Sequence, residues 1–271
     1  MMFCMPDIVN RPALCRGIAD RPAVLGWEAM YNSTDWWQTP LGHYLLAREQ
    51  AFFDQAVADV FGFNAVQIEM PQLDSLRMNR MPKRIRLGRA FGHVRADAAA
   101  LPLETGSTDL LVLPHVLEFS ENPHQVLREA ERVLVPEGRL IVSGFNPWSL
   151  WGLERRVRRI RGGRGYPWCG NFISLPRIKD WLALMNLDIQ TGRLGCYVPP
   201  SQQPKWLWRL RFMESAGDRW WRVGGGVYFL QAVKRVRGVR MITPAWQSAP
   251  APQRLVVTTD RSALDSRHLP E

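Results

Sequence analysis

The stretch from Asp97 to Asn146 constrains this chain more than any other part of it. Asp109–Leu113 (DLLVL) is an unbroken apolar run of the kind that lies inside a parallel sheet with both faces covered. Asn122 and Pro123 then open a helix whose apolar stripe is Val126, Leu127, Ala130, Val133 and Leu134. VPEG makes a turn, and RLIVSGF is a second buried strand. Two buried strands joined through one amphipathic helix by short connections require a crossover in an α/β layer.

The flanking sequence extends this plan. In WWQTPLGHYLLAREQAFFDQAVADVFGFN, Thr39 caps a long helix, Pro40 suits its first turn and Gly62 ends it. Leu41, Leu45, Phe52 and Ala56, with Tyr44 and Ala51 alongside, form its apolar stripe. Ala65–Ile68 reads as a buried strand, a helix is expected around Leu73–Met78, and a strand at His93–Ala96 runs into Asp97. Beyond Gly144 come an Arg-dense helix ending in glycines (LWGLERRVRRIRGGRG), a helix started by Ser174–Pro176, a strand at LDIQTGRL and a late strand in VYFLQAVKRV. Pro and polar residues make 1–35 an N-terminal arm, 36–237 the folded domain with a basic, Trp-rich insertion at about 195–225, and 238–271 a mobile tail.

No apolar run approaches the ~18–20 residues that span a bilayer, and the N-terminus is too polar for a signal peptide, so a cytoplasmic location is expected. Cys4, Cys15, Cys169 and Cys196 are scattered and only five histidines accompany them, so no metal site is expected and the thiols read as small buried groups. Charge divides the chain. Residues 1–150 carry 14 Lys and Arg against 17 Asp and Glu, whereas 151–271 carry 21 against 8. A net +13 on the second half points to an anionic partner.

The run DAAALPLETGSTDLLVLPHVLEFSENPHQVLREAERVLVPEGRLIVSGFNP has an acid at a strand end followed by LPL, a Gly/Ser turn, a strand, a Pro-started helix, RVL, PEG and a strand. It resembles the second half of the class I S-adenosylmethionine-dependent methyltransferase domain, type 11 branch. More narrowly, it resembles a proteobacterial group carrying GFNP and SLWGL after that strand. The specific match covers about 94–153, and a weaker likeness runs from Trp36 to Val236. The resemblance implies a doubly wound, Rossmann-like α/β sheet with helices on both faces, with S-adenosylmethionine lying across the C-terminal strand ends. It implies that Asp97 accepts from the adenine amino group, that the Ala98 backbone meets the ring edge, and that Leu113, Pro114 and His115 face the methionine end and the methyl acceptor. Methyl transfer needs mainly alignment and desolvation, and His115 is the expected general base if the acceptor must lose a proton. As bland readings, Asp97 caps a turn and His115 and Glu118 bond locally.

The chain departs from the family's acidic-x-Gly-x-Gly-x-Gly loop. Here that loop is QIEMPQL, in which Gln67 replaces the acid and Glu69, Pro71 and Leu73 occupy the glycine positions, with Glu69–Met70 forming the altered loop. Glu69 there requires a cation between it and the cofactor's carboxylate. The interval from Ile68 to Asp97 is short for two helices and two strands, and no acid is found for the ribose hydroxyls.

In the second half, Lys205, Arg209, Arg211, Arg219 and Arg222 interleave with Trp206, Trp208, Trp220 and Trp221, and a further arginine cluster fills 155–164. Such composition suits RNA, an anionic lipid surface, or a lid whose arginines are simply solvated. Three functions follow: methyl transfer to an unidentified acceptor, methyl transfer directed to RNA, or a catalytically inactive methyltransferase-like binding module.

Overall fold

The computed structural model describes residues 33–236 apart from 164 and 222. The N-terminal arm over residues 1–32 and the tail over 238–271 lie outside the described residues. Seven strands, β1 (Asn64–Ile68), β2 (Lys83–Gly88), β3 (Val94–Arg95), β4 (Thr108–Pro114), β5 (Leu134–Phe145), β6 (Leu187–Gly195) and β7 (Val227–Lys234), form one sheet in the order β3-β2-β1-β4-β5-β7-β6. The first five run parallel, while β7 inserts antiparallel between β5 and β6. Every residue of β4 but Asp109 is buried, as expected of a strand covered on both faces.

Two short helices, α1 (Thr34–Trp37) and α3 (Val116–Phe119), flank longer ones: α2 (Pro40–Ala58), α4 (Pro123–Val133), α5 (Leu150–Ile160) and α6 (Leu175–Leu184). A hairpin of α7 (Pro204–Arg209) and α8 (Met213–Trp220) occupies most of the basic insertion. Strand alternation assigns the helices to faces. On β7, Phe229 stacks on Phe52 of α2 at 4.0 Å and Gln231 donates to the Ala56 carbonyl, so α2 covers one face. Lys234, on the opposite parity, donates to the Glu131 carbonyl, so α4 covers the other. The sheet is doubly wound.

The α2 cap forms as expected, with Gly42 N–H donating to Thr39 Oγ1 at 3.1 Å. The helix stops at Ala58, short of Gly62, because Asn79 Nδ2 donates to the Val57 and Val60 carbonyls and closes its end. Its buried stripe is Leu41, Leu45, Glu49, Phe53 and Val57. The expected members Phe52 and Ala56 sit at the edge of that stripe and Ala51 faces solvent.

The crossovers on the β3-β2-β1 side carry no helix. Residues 73–78, expected as a helix, form turns through Leu73 N→Met70 O, Arg77 N→Asp74 O and Asn79 N→Leu76 O. The cause is two side chains from neighbouring strands: the Gln67 amide and Arg86 Nη2 both take the Leu73 carbonyl, which an α-helix would keep for its own ladder. Only five residues separate β2 from β3, so β3 shrinks to two residues.

Candidate functional site

The site is built where β1, β4 and β5 end. β1 finishes in Ile68, and the next two residues, Glu69 (φ 60°) and Met70 (φ 57°), adopt left-handed backbone. Two such residues in succession cost roughly 1–3 kcal/mol each unless the surroundings fix them. Gln67 does the fixing. Its Nε2 donates to the carbonyls of Glu69 (3.1 Å), Met70 (3.1 Å) and Leu73 (2.8 Å), and its Oε1 accepts from Ser75 N (3.0 Å) and Oγ (2.9 Å). A buried primary amide thus turns the loop back on the strand that carries it.

Glu69 is fully buried, and its Oε1 accepts from the Arg89 backbone N–H at 3.1 Å. The Arg89 guanidinium then reaches Asp97, Nη2 to Oδ2 at 2.7 Å. Asp97 Oδ1 accepts from Ala99 N–H at 2.9 Å, and the Asp97 side chain remains 45% exposed. Burial raises the Asp97 pKa, but the Ala99 amide and the Arg89 guanidinium outweigh it, and the carboxyl ends below its ordinary range. Glu69, Arg89 and Asp97 therefore link the loop after β1 to the loop after β3, with buried Met70 and Ala98 beside them.

On the adjoining strand, Leu113 and Pro114 are buried and His115 turns left-handed (φ 52°), its N–H donating to the Ser143 carbonyl on β5. This turn directs the imidazole into the interior, stacked on Phe145 at 4.2 Å between ring centres. Nδ1 meets Glu118 Oε2 at 2.7 Å, and Nε2 meets Glu49 Oε1 of α2. Glu118 Oε1 accepts from Phe145 N–H. None of the three side chains reaches solvent. Burial opposes a charge on His115, yet the two carboxylates outweigh it and push the pKa up to about 10. Burial pushes Glu118 up as well, against the pull of the imidazolium. A proton is thus held inside the fold between two acids.

Several buried polar atoms near this triad have no hydrogen-bond partner among the described residues: Glu49 Oε2, Ser143 Oγ, and the hydroxyls of Tyr166 and Tyr228. The Tyr166 phenol is pushed up by burial and by Glu49 and Glu118, and Tyr228 by burial and by Glu118, which ties both to the cluster. Tyr166 packs against Trp36 and Trp37, whose indole Nε1 atoms are also unpartnered. Native interiors satisfy about nine buried polar groups in ten, so this concentration at one strand end marks a place built for something polar.

The structure gathers Glu69, Met70, Asp97 and Ala98 around Arg89, and sets Leu113, Pro114 and His115 on the neighbouring strand, where Gln67 pairs with Val112. Glu118, read from sequence as a local or surface group, is interior. Glu49, Arg89, Tyr166 and Tyr228 were not singled out. For Glu49 a signal existed: it stands four residues from both Leu45 and Phe53, an acid in the middle of an apolar helix face.

The methyltransferase domain family matches residues 51–142. The uncharacterized protein YafS of Escherichia coli is 41% identical over 35% of this chain and 39% of its own length. A malonyl-[acyl-carrier protein] O-methyltransferase of Hahella chejuensis is 36% identical over 26% of this chain and 25% of its own. The chain thus spans well under half the length of these curated relatives. Among solved structures, a SAM-dependent methyltransferase from Thermotoga maritima superposes with a TM-score of 0.53 at 15% identity, covering 77% of this chain and 98% of that one, which is a likeness of fold.

Proposed function

We propose that the chain, whose residues 51–142 match the methyltransferase domain family and whose fold is that of a SAM-dependent methyltransferase, transfers a methyl group from S-adenosylmethionine to a protic acceptor. The observation that carries the reading is the buried triad with its unpartnered polar atoms at the end of β4, where this fold brings donor and acceptor together.

The residues fit the cofactor in charge. The Arg89 backbone N–H already holds one oxygen of the buried Glu69, and the Arg89 guanidinium on Asp97 is the cation to meet the cofactor's carboxylate beside them. Two carboxylates around one imidazolium suit a neighbouring sulfonium. Asp97 would hold the adenine amino group, the Ala98 backbone the ring edge, Glu69–Met70 the near side of the cofactor, and Leu113 and Pro114 its methionine end. When bound, S-adenosylmethionine supplies a methyl group on positively charged sulfur, ready for in-line displacement.

The protonated His115, with both nitrogens engaged, is a positioning cation rather than a base. We assign the acceptor's proton to Glu49 Oε2, the unpartnered oxygen of a carboxylate whose other oxygen His115 holds. A base aimed at the acceptor and a local excess of carboxylate favour an O–H or N–H group. They disfavour a free carboxylate such as the malonyl group named for one relative.

Calorimetric titration of the full chain with S-adenosylmethionine and S-adenosylhomocysteine tests the reading. Saturable binding that weakens in Asp97→Ala is expected, as is methyl transfer that Glu49→Gln slows by at least about a hundredfold in kcat. A second reading, a binding module without turnover, draws on the way Gln67 knits the glycine-free loop closed. Folded protein that takes up neither compound at millimolar concentration selects it. An RNA acceptor is distinguished by methyl incorporation into RNA with steep loss of affinity in salt.

A further inference from the structure

The α7–α8 hairpin exposes large apolar side chains that a hairpin of its size could have buried: Trp206, Trp208 (69% exposed), Phe212, Trp220 (85%), Trp221 and Val223. Leu207 is the side chain that α7 turns inward. Interleaved with the apolar set are the exposed cations Lys205, Arg209, Arg211 and Arg219. The acid Glu214 is withdrawn from that surface. It accepts from Tyr44 O–H and from the backbone N–H of Tyr197 (2.9 Å) and Val198 (3.4 Å), and pairs with Arg48 at 2.6 Å. The hairpin is therefore fastened to α2 and to the loop after β6 through its acid while it presents tryptophan and positive charge outward. A monomeric surface rarely leaves so much clustered apolar area to water.

We propose that this hairpin is an interfacial anchor that seats the protein on a bilayer rich in anionic lipid. Tryptophan favours the headgroup level, where the ring is buried and its N–H stays wet, and lysine and arginine beside it meet lipid phosphates. Trp148, just before α5, and Leu153 and Ile160 within it are likewise exposed beside arginines. Single-stranded RNA is the weaker match, because Val223, Leu153 and Ile160 are exposed aliphatic groups that offer a base no flat face to stack on. Among the described residues no helix is long and apolar enough to cross a membrane, so the contact is peripheral. The proposal stands on this surface alone and holds whether or not the methyl-transfer reading does.

Flotation of the full chain with vesicles tests it, using 30% phosphatidylglycerol in phosphatidylcholine against pure phosphatidylcholine. The anionic vesicles should bind about a hundredfold better at low salt. Trp208→Ser/Trp220→Ser should lower that partition by roughly tenfold or more. Both side chains are exposed, so an unchanged circular-dichroism melt will show that the variant is folded. Fluorescence quenching by brominated lipid should fall in the same variant. Absence of binding to anionic vesicles, binding indifferent to the two substitutions, or a single-stranded RNA that displaces the protein from vesicles would each overturn the proposal.

Discussion

Replacing His115 by Gln removes the cation between Glu49 and Glu118 and leaves two carboxylates facing each other in the interior. Breaking a buried pair in this way costs about 3–5 kcal/mol near pH 7.5. The pH dependence identifies the cause. In the wild type the folded-state pKa of His115, about 10, lies above its ordinary 6.5, so its contribution is fully present below pH 6.5 and is lost as pH rises through 10. Across that interval the unfolding free energy falls by about 1.4 kcal/mol per pH unit, or roughly 5 kcal/mol in all. In the variant Glu118, already raised by burial, loses the imidazolium that pulls it down, so that part of the variant's stability is present below about pH 4.5 and is lost as pH rises through the raised value. The cost of the substitution is therefore small near pH 5, where it reflects lost hydrogen bonds of about 1–2 kcal/mol. It peaks between pH 7 and 9, and shrinks again as the wild type loses its proton. Urea unfolding followed by tryptophan fluorescence at half-unit steps from pH 5 to 10 measures this difference directly. A cost that is flat with pH, or below about 1 kcal/mol at pH 7.5, would refute a charged His115.

Gln67→Ala should destabilise the protein by about 2–4 kcal/mol in urea unfolding, because it removes five buried hydrogen bonds and leaves three loop carbonyls to be satisfied otherwise. Glu214→Ala should free the α7–α8 hairpin, read as faster hydrogen exchange at the Tyr197 and Val198 amides and a loss of about 2–4 kcal/mol. Gly144→Ala should lower stability by about 1–3 kcal/mol in the same assay, since a Cβ there would lie 2.4 Å from the Tyr228 hydroxyl.

What could be read from the sequence was what its own neighbours decide. The β4–α4–β5 unit follows from apolar runs and from Pro123 at a helix start, all within about fifty residues, and α4 buries Val126, Leu127, Ala130 and Val133 as its stripe requires. At 73–78 the helical spacing of Leu73 and Leu76 predicts a helix but yields to Gln67 and Arg86, whose side chains reach the same backbone from elsewhere in the fold. The antiparallel entry of β7 between β5 and β6 leaves no local mark at all. In the candidate site, Asp97 and His115 are named by the family resemblance of the run they lie in. Their partners Arg89 and Glu49 lie 8 and 66 residues away along the chain, and only the fold brings them within bonding distance.

The two halves of the sheet are held by different means, and this bears on where a ligand can act. From β4 to β6 the strands carry helices α4 and α6 on one face, with apolar layers on both. From β3 to β1 side chains replace crossover helices: Gln67 and Arg86 hold the first loop, Asn79 closes α2, and Asp109 Oδ2 accepts from Phe63 and Asn64 N–H to start β1. A helix gains its bonds cooperatively along one ladder, whereas these bonds each depend on one side chain and can open one at a time. Glu69, Arg89 and Asp97 therefore sit where single side-chain bonds hold the backbone, while His115 and Glu118 sit beside strands held by continuous ladders and helices. The Arg89–Asp97 pair is part-exposed, whereas the Glu49–His115–Glu118 cluster is closed to solvent, so on the proposed function a charged ligand meets the first pair before the second.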